Sequence, residues 1–165
     1  MARQLHFRKY YRAINGDGTT HYGFRNNTGI GESNTAPDWD PSPTIDCGRG
    51  IHVVEGHPLY MHEFVERVDP IYYEVTCNPN PPVASSSGRK YRCRSARNVR
   101  IINDDSPEFA PELLAVIAKE DSDRDVRREA VNKLNPEKHA KLLAVIAKKD
   151  SHEYVRMCAL QRLKS

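Results

Sequence analysis

A seven-residue segment occurs twice near the C-terminus, and it limits what this chain can fold into. Leu-Leu-Ala-Val-Ile-Ala-Lys spans residues 113–119 and again residues 142–148, so the copies are 29 positions apart. A fixed period between about 20 and 50 residues is typical of stacked structural repeats. Further identities at the same offset extend the match. They are Asp121, Ser122, Val126, Arg127, Ala130 and Leu134, which recur as Asp150, Ser151, Val155, Arg156, Ala159 and Leu163.

Each copy has the pattern of two helices joined by a polar turn. Apolar residues at i, i+1, i+4 and i+5 from Leu113 form one helix face, and a second face follows from Val126. Residues 121–123 read Asp-Ser-Asp, and short side-chain oxygens of this kind cap the first free N–H groups of a helix. Pro136 follows Asn135, which suits the first turn of a new helix. The sequence predicts a helix–turn–helix unit, twice.

The motif Asp-x-Asp-x-x-Val-Arg-x-x-Ala-Val-x-x-Leu at residues 121–134 resembles the HEAT repeat family, particularly its short bacterial form. The resemblance covers residues 107–165, and the second copy departs from it where His152-Glu153 replaces the second acid. It implies a helical-repeat fold and no chemistry. In such repeats the acid and the arginine bridge the structure within and between units, a role that here falls to Asp121, Arg127, Asp150 and Arg156.

Two units are fewer than the three or so that repeat proteins need to bury a continuous core. We therefore expect this tail to dock against the rest of the chain or against another molecule.

The whole chain has 165 residues and a net charge of +3, so its composition does not demand a nucleic acid or a membrane as partner. It contains no long apolar run and opens Met-Ala-Arg-Gln, which predicts a cytoplasmic protein without a membrane span. Its four cysteines form no Cys-x-x-Cys pair and are expected to be free thiols. A disulfide bond between Cys77 and Cys93 is the alternative if their segments pair as strands.

The first hundred residues have the pattern of strands and turns. Strands are predicted at residues 5–14, 50–54, 71–77, 89–94 and 98–102, the last two alternatively as a bulged hairpin. Asn15-Gly16-Asp17-Gly18 predicts a turn, and Thr19 to Phe24 would return as a hairpin arm. A helix is expected at 58–68, ended by Asp69-Pro70, and a long loop at 26–49 with one short element around Trp39.

These patterns predict an α+β protein. Residues 1–104 would form a mixed or antiparallel sheet with one helix, and residues 105–165 the all-α tail of two repeats.

Three segments of this first part are similar to a phage-associated domain of unknown function. They read KYYRAINGDGTTHYGF, DCGRGIHVVEGHPLYMHEF and IYYEVTC, and the resemblance covers roughly residues 8–103. It implies an association with phages or mobile elements and brings no activity with it. The positions that match the family pattern are Cys47, Gly50, His52, Pro58, Leu59, Tyr73, Glu74 and Val75.

Four potential metal ligands follow one another at a spacing of five: Cys47, His52, His57 and His62. Zinc sites favour ligand pairs two to four residues apart. The four also fall on a strand, a turn and a helix, so the sequence predicts no metal site. We expect no cofactor either, because neither glycine-rich segment is followed by a helix that would hold a phosphate.

A weak enzymatic pattern is present in the same part of the chain. Arg12, Tyr22, His52 and Glu74 follow the order of functional residues in small ADP-ribosyltransferase-like enzymes, with His52 and Glu74 as the catalytic candidates. The alternative is that Glu74 is only the solvent-facing member of an alternating strand, between the inward-facing Tyr73 and Val75.

A cluster of cations lies just before the helical tail. On a strand, Lys90, Arg92 and Arg94 would project from one face, opposite Tyr91 and Cys93. Such a row suits phosphates or an acidic protein surface, and the alternative is a solvated edge strand protected by its charge. The whole cluster comprises Arg89, Lys90, Arg92, Arg94, Arg97 and Arg100.

The sequence is therefore consistent with three functions. The leading expectation is a non-enzymatic interaction or structural protein that binds a protein partner. The alternatives are nucleic-acid binding through the arginine cluster and a nucleotide-using transferase.

Overall fold

The structure is a computed structural model that describes residues 8–20, 25–42, 49–64, 70–79, 81–84 and 89–165. The chain divides into two compact units, Met1–Asn103 and Asp104–Ser165, which we call the sheet unit and the helical unit. A seven-stranded antiparallel sheet belongs to the first and four α-helices to the second. The predicted α+β fold class is confirmed.

The sheet has the strand order β2-β7-β4-β1-β3-β6-β5, and its neighbouring strands pair antiparallel. The predicted strands at 50–54 and 71–77 are confirmed as β3 and β4. The hairpin alternative for the last two strands is wrong, because β6 pairs with β3 and β5 whereas β7 pairs with β4 and β2. The strands are β1 Tyr10–Ile14, β2 Ser33–Thr35, β3 Ile51–Glu55, β4 Ile71–Asn78, β5 Val83–Ala84, β6 Lys90–Cys93 and β7 Ser95–Ile102.

Strand β1 lies in the middle of this sheet and is buried along its whole length. Such a strand loses the apolar–polar alternation that marks a half-exposed strand, because both of its faces are covered. One face of the sheet carries an apolar cluster, and we call this face the core face. Its buried members are Tyr10, Ile14, Val53, Tyr73, Val75, Cys77, Cys93 and Ala96.

Two segments of the sheet unit differ from the sequence prediction. Strand β2 lies within the predicted loop, where its partner β7 supplies the backbone hydrogen bonds that its own polar residues do not signal. The expected α-helix at 58–68 is a 3₁₀ helix over Pro58–Phe64, and residues 65–69 lie outside the described part of the chain.

The predicted turn at residues 15–18 is present. The N–H of Gly18 donates to the Asn15 carbonyl over 2.8 Å, and Gly18 has a φ of 83° that favours glycine. Of the expected return arm, residues 21–24 lie outside the described part, and Thr19 bridges to Arg25.

The helical unit consists of α1 Pro111–Glu120, α2 Arg124–Lys133, α3 Pro136–Lys149 and α4 Glu153–Arg162. The cap predicted in residues 121–123 is confirmed, since Asp123 accepts the N–H of Asp125. Pro136 lies in the first turn of α3 as predicted, and Asn135 caps that helix by accepting the N–H of Lys138. Packing links α1 with α2, α3 with α4, and α2 with α4.

The 29-residue period extends further toward the N-terminus than the shared heptapeptide shows. A 3₁₀ helix at Pro107–Phe109 precedes α1, and the matching residues 136–138 form the first turn of α3. His139 interrupts α3 with non-helical φ and ψ, at the position that matches Ala110 between the 3₁₀ helix and α1. We therefore define a first helix pair, residues 107–134, and a second helix pair, residues 136–163.

Candidate interaction surface

The arginine cluster does not form a continuous exposed row. Lys90 and Arg92 share one face of β6, opposite Val54 and His52 of β3. Arg92 is fully buried (0% exposed), and its guanidinium donates to three backbone carbonyls, those of Asp40 (3.3 Å), Arg49 (3.1 Å) and Ser42 (2.6 Å). Arg92 therefore ties a distant loop to the sheet and is not available to a phosphate.

Three other cations of the cluster are also engaged. The guanidinium of Arg89 lies 4.2 Å from the ring centroid of Tyr60. Arg97 donates from Nε to the Gly31 carbonyl over 2.9 Å. Arg100 binds the carboxylate of Glu74, with both Nε and a terminal nitrogen 2.9 Å from Oε2. Arg94 is exposed in the turn between β6 and β7, so free positive charge is sparse along these strands.

The two catalytic candidates lie on one face of the sheet without meeting. Tyr11 of β1 pairs with Glu74 on one side and with Val54 on the other, so β1 separates Glu74 from the His52 strand. Two strand spacings and a two-residue offset place them about 12 Å apart. Tyr22, the third member of the expected set, lies outside the described residues.

The electrostatic surroundings of His52 and Glu74, like the distance between them, argue against a shared catalytic site. Glu74 is held by Arg100 and, at 3.6 Å, by the ammonium group of Lys9. Burial, with smaller contributions from the cations Arg92 and Lys90, lowers the pKa of His52 to about 4. The imidazole is thus neutral at pH 7.

Two histidines of the potential metal set, His57 and His62, are engaged in local contacts. His57 Nδ1 accepts the N–H of Leu59 over 3.1 Å, and His62 Nδ1 lies 3.1 Å from the Leu59 carbonyl oxygen. Cys47 lies outside the described part of the chain.

Arg12, another member of the expected transferase set, is buried on the core face near two thiols that the sequence did not place beside it. Arg12 is 3% exposed and donates to Asn26 Oδ1 over 2.9 Å, while its Nε and Nη1 atoms have no hydrogen-bond partner in the described chain. Burial lowers the pKa of Arg12 to about 10, and the nearby Cys93, Tyr73 and Cys77 act in the opposite direction. Cys77 and Cys93 are free, buried thiols.

These thiols influence each other's ionisation. The hydrogen bond from Cys77 lowers the pKa of Cys93, burial opposes this, and the guanidinium of Arg12 lowers the pKa again. Of the two thiols, Cys93 is thus the one whose ionisation is favoured, whereas the pKa of Cys77 is raised by its hydrogen bond to Cys93 and by burial.

In the helical unit, one ion pair joins the two helix pairs. Arg127 donates from Nε and Nη2 to the two carboxylate oxygens of Asp150, both over 2.9 Å, and its Nη1 donates to the Asp121 carbonyl over 2.9 Å. Both side chains of the ion pair are buried. Burial opposes ionisation of Asp150, but the bonds from Arg127 and from the His152 N–H leave its pKa below the ordinary value. We call this contact the Arg127 clamp.

The equivalent arginine, 29 residues later, makes the carbonyl contact of the clamp without the carboxylate contact among the described residues. Arg156 Nη1 donates to the Asp150 carbonyl over 2.9 Å, as Arg127 does to that of Asp121. Among the described residues, however, no carboxylate forms an ion pair with Arg156. The four predicted bridging residues are therefore in contact around the clamp, and Arg156 keeps the carboxylate-binding side of its guanidinium unused.

Helix α4 exposes several large apolar side chains, together with the polar side chains of Glu153 and Gln161. Its contact side is marked by Cys158, whose thiol donates to Asn132 Oδ1 of α2 over 2.8 Å. We call the exposed set the outer α4 face; its residues are Tyr154 (63% exposed), Met157 (47%), Leu160 (48%) and Leu163 (37%).

The first helix pair shows what these positions look like when a neighbour is present. Val131 and Leu134 match Leu160 and Leu163 by the 29-residue period, and they are 0% and 1% exposed. Within the helical unit, α2 packs against both α1 and α4, whereas α4 packs against α3 and α2. Nothing in the described helical unit packs on α4 in the same way.

A scan against family models found no match to this chain, and searches of curated proteins and of solved structures found none either. No helix in the described residues is long and apolar enough to cross a membrane. Function is therefore argued from the chain's own contacts.

Proposed function

We propose that this protein is a non-enzymatic interaction protein, and that the outer α4 face is the surface with which it binds a protein partner. The supporting observation is the exposure of Leu160 and Leu163 at positions that are buried one repeat earlier. An apolar outer side at this place is typical of a protein-binding surface.

The composition of α4 supports the same proposal. In α2 the positions that match Tyr154 and Met157 are Asp125 and Arg128, which form a salt bridge of 2.9 Å. The second helix pair has replaced this ion pair with two large apolar side chains, both exposed. Solubility alone would favour the opposite exchange.

The two alternatives receive less support from the geometry. Nucleic-acid binding requires several free cations, but Arg92 is buried and Arg100 is paired with Glu74. The transferase alternative requires Glu74 to be free beside a substrate, and the same ion pair holds it.

Photo-crosslinking in the source cells tests the proposal. A photo-reactive amino acid at position 157 is expected to give one or a few covalent adducts of defined mass that survive nuclease treatment. The same amino acid at Glu112, an exposed position on α1, is the matched control. The second variant Leu160→Asp should abolish the adducts without unfolding the protein, because Leu160 is half exposed.

Two results would overturn the proposal. Adducts at position 157 that match those at position 112 would show that the outer α4 face has no specific partner. Adducts that disappear with nuclease would assign the contact to nucleic acid instead.

A further inference from the structure

Two free thiols of the sheet unit meet on its core face, although they lie on strands that do not pair with each other. Cys77 belongs to β4 and Cys93 to β6. We propose that Cys77 and Cys93 form a reversible disulfide bond when a small peroxide oxidises them, with Cys93 as the attacking sulfur and Arg12 as the cation that favours the attack. This modification site belongs to the sheet unit and is independent of the proposed function.

The first argument is the backbone contact that brings the ends of the two strands together. The N–H of Arg94, the residue after Cys93, donates over 2.9 Å to the carbonyl of Asn78, the residue after Cys77. Both thiols belong to the apolar cluster of the core face and are in hydrogen-bond contact with each other. A disulfide bond forms readily only between cysteines whose side chains already face each other, and this pair meets that condition.

The second argument is the buried cation beside these thiols. Arg12 lies on the core face because it alternates along β1 with Tyr10 and Ile14, and it is 3% exposed. Its Nη2 atom donates to Asn26, whereas Nε and Nη1 have no hydrogen-bond partner among the described residues. A buried guanidinium with unused donors favours an anion nearby and disfavours a metal cation. The thiol pair is therefore better suited to oxidation through a thiolate than to metal binding.

The two sulfur atoms differ in how readily they ionise. The hydrogen bond from Cys77 and the guanidinium of Arg12 hold the pKa of Cys93 below its ordinary value in spite of burial. The same hydrogen bond, together with burial, raises the pKa of Cys77. The thiolate is the nucleophile in thiol oxidation, so Cys93 attacks first and Cys77 completes the bond.

Burial limits the kind of oxidant that can react at this site. Cys93 is fully buried, and Cys77 is 9% exposed. Hydrogen peroxide is small and uncharged, whereas glutathione disulfide would have to place a charged peptide beside a buried sulfur atom. The site therefore favours a peroxide over a disulfide as its reaction partner.

The proposed reaction has two steps. The Cys93 thiolate attacks one oxygen of hydrogen peroxide, the O–O bond breaks, and the departing hydroxide takes up the proton that Cys93 had released, so that water and a sulfenic acid form. The Cys77 sulfur then attacks the Cys93 sulfur, the S–O bond breaks, and the departing hydroxide takes the Cys77 proton as a second water. The two thiols lose two electrons, which reduce the peroxide to two water molecules.

Peptide mass spectrometry of the full chain tests the proposal. The native protein is treated with hydrogen peroxide, its remaining thiols are alkylated after denaturation, and it is digested with trypsin without reduction. Trypsin leaves Cys77 in peptide 68–89 and Cys93 in dipeptide 93–94. We expect these two peptides to be joined, and dithiothreitol to separate them. Cys158, a buried thiol that donates to an amide oxygen, is the internal control and should stay available to the alkylating reagent.

Two cysteine variants test the order of the steps. Cys77→Ser should leave Cys93 as a sulfenic acid that dimedone labels, because the second thiol is missing. Cys93→Ser should reduce dimedone labelling of Cys77 to about a tenth of that amount, since the thiol with the raised pKa is the poorer nucleophile. Glutathione disulfide, at the concentration used for peroxide, should give about a tenth or less of the linked peptide in the unchanged protein.

The role of Arg12 is tested by the rate of linkage and by its pH dependence. Arg12→Met should slow the formation of the linked peptide by about tenfold and move the rise of the rate to higher pH, because the thiolate fraction of Cys93 falls. Arg12→Lys keeps a cation and should restore part of the rate. Arg25→Met removes an exposed cation and is the matched control, which should change neither quantity.

Four results would overturn parts of this inference. Absence of the linked peptide, in a protein that keeps its far-ultraviolet circular dichroism spectrum, would remove the site. Linkage of Cys47 to either thiol would assign the oxidation to a different pair. Equal rates with hydrogen peroxide and glutathione disulfide would remove the selection by burial. An unchanged rate and pH profile in Arg12→Met would remove the role of the cation.

Discussion

Both units of the protein bury an arginine, but they satisfy the guanidinium differently. In the helical unit, Arg127 binds the carboxylate of Asp150 and the Asp121 carbonyl. In the sheet unit, Arg92 binds three backbone carbonyls and, among the residues that the structure describes, no carboxylate. The first contact joins two copies of one repeated motif, and the second fastens an irregular loop to a strand.

This difference predicts how each site responds to the loss of its arginine. Removal of Arg127 leaves a buried anion without its counter-charge, whereas removal of Arg92 leaves neutral carbonyl groups. An uncompensated buried charge costs more than an unpaired neutral acceptor. The helical unit should therefore be the more sensitive of the two.

The largest effect is expected for Arg127→Met. It should lower the free energy of unfolding of the helical unit by about 4 kcal/mol, because it breaks one side of a buried ion pair. Urea titration followed by far-ultraviolet circular dichroism measures this. Arg156→Met is the matched control, and loss of its single hydrogen bond should cost about 1 kcal/mol. Equal losses for the two variants would contradict the importance of the carboxylate.

A smaller effect is expected for Arg92→Met in the sheet unit. The loss of three hydrogen bonds from a charged donor should cost about 3 kcal/mol. Amide exchange at residues 40–42 should accelerate at the same time, since two of the three carbonyls belong to this segment. Arg94→Met, an exposed neighbour, should change stability by less than about 0.5 kcal/mol. Slow exchange at 40–42 in the Arg92 variant would show that the loop is held by other contacts.

The two units should also respond to different ranges of pH. The pKa of His52 is about 4 in the folded protein and 6.5 in the unfolded chain, so the unfolded state binds the proton first. The contribution of His52 to the free energy of unfolding of the sheet unit is therefore fully present above pH 6.5. It falls by roughly 2 kcal/mol as the pH drops toward 4, a figure smaller than the full pKa difference would give because His52 is only partly buried.

The Arg127 clamp behaves differently, because the pKa of Asp150 lies below its ordinary value of 3.8. Its contribution is complete above that value and is lost as the pH falls through the lower, folded pKa. Unfolding titrations between pH 7 and 3 measure both ranges, and His52→Phe should remove the upper dependence alone. A loss that persists in this variant would assign the upper range to another group.

The smallest change in stability is expected for Arg12→Met. Its buried guanidinium makes one hydrogen bond to a side chain, so replacement by an apolar group should alter stability by no more than about 1 kcal/mol. The pKa of Cys93 should rise, because the cation that lowers it is gone. Thiolate ultraviolet absorbance against pH measures the rise, with Arg25→Met as the control. An unchanged titration would show that Arg12 does not balance the Cys93 thiolate.

The contrast between the two arginines also explains what the sequence could predict. The acid and arginine of the clamp recur at a fixed period inside one motif, and the resemblance of that motif to HEAT repeats implied that Asp150 and Arg127 are bridging residues. Arg92 is separated by 43 to 52 residues from the carbonyls that it binds, and these carbonyls carry no side-chain signal. For the same reason the sequence did not predict β2, whose Ser33 pairs with Arg97 of the neighbouring strand β7. Local periodicity predicted the helical unit well, whereas long-range backbone pairing in the sheet unit has no counterpart in the sequence pattern.

The position of β7 between β2 and β4 has a consequence for the order of events during synthesis. Strand β2 ends at Thr35, but its partner β7 spans Ser95–Ile102. The edge strand therefore cannot pair until the last segment of its unit has been synthesised. Pairings that span about 60 residues close slowly, because a long stretch of chain must be restrained first. The helices that follow form from contacts within a few tens of residues, so they can form soon after their residues have been synthesised. A ribosome-bound chain ending before residue 95 would therefore hold an incomplete sheet, and this is the stage at which a chaperone would find exposed strand edges.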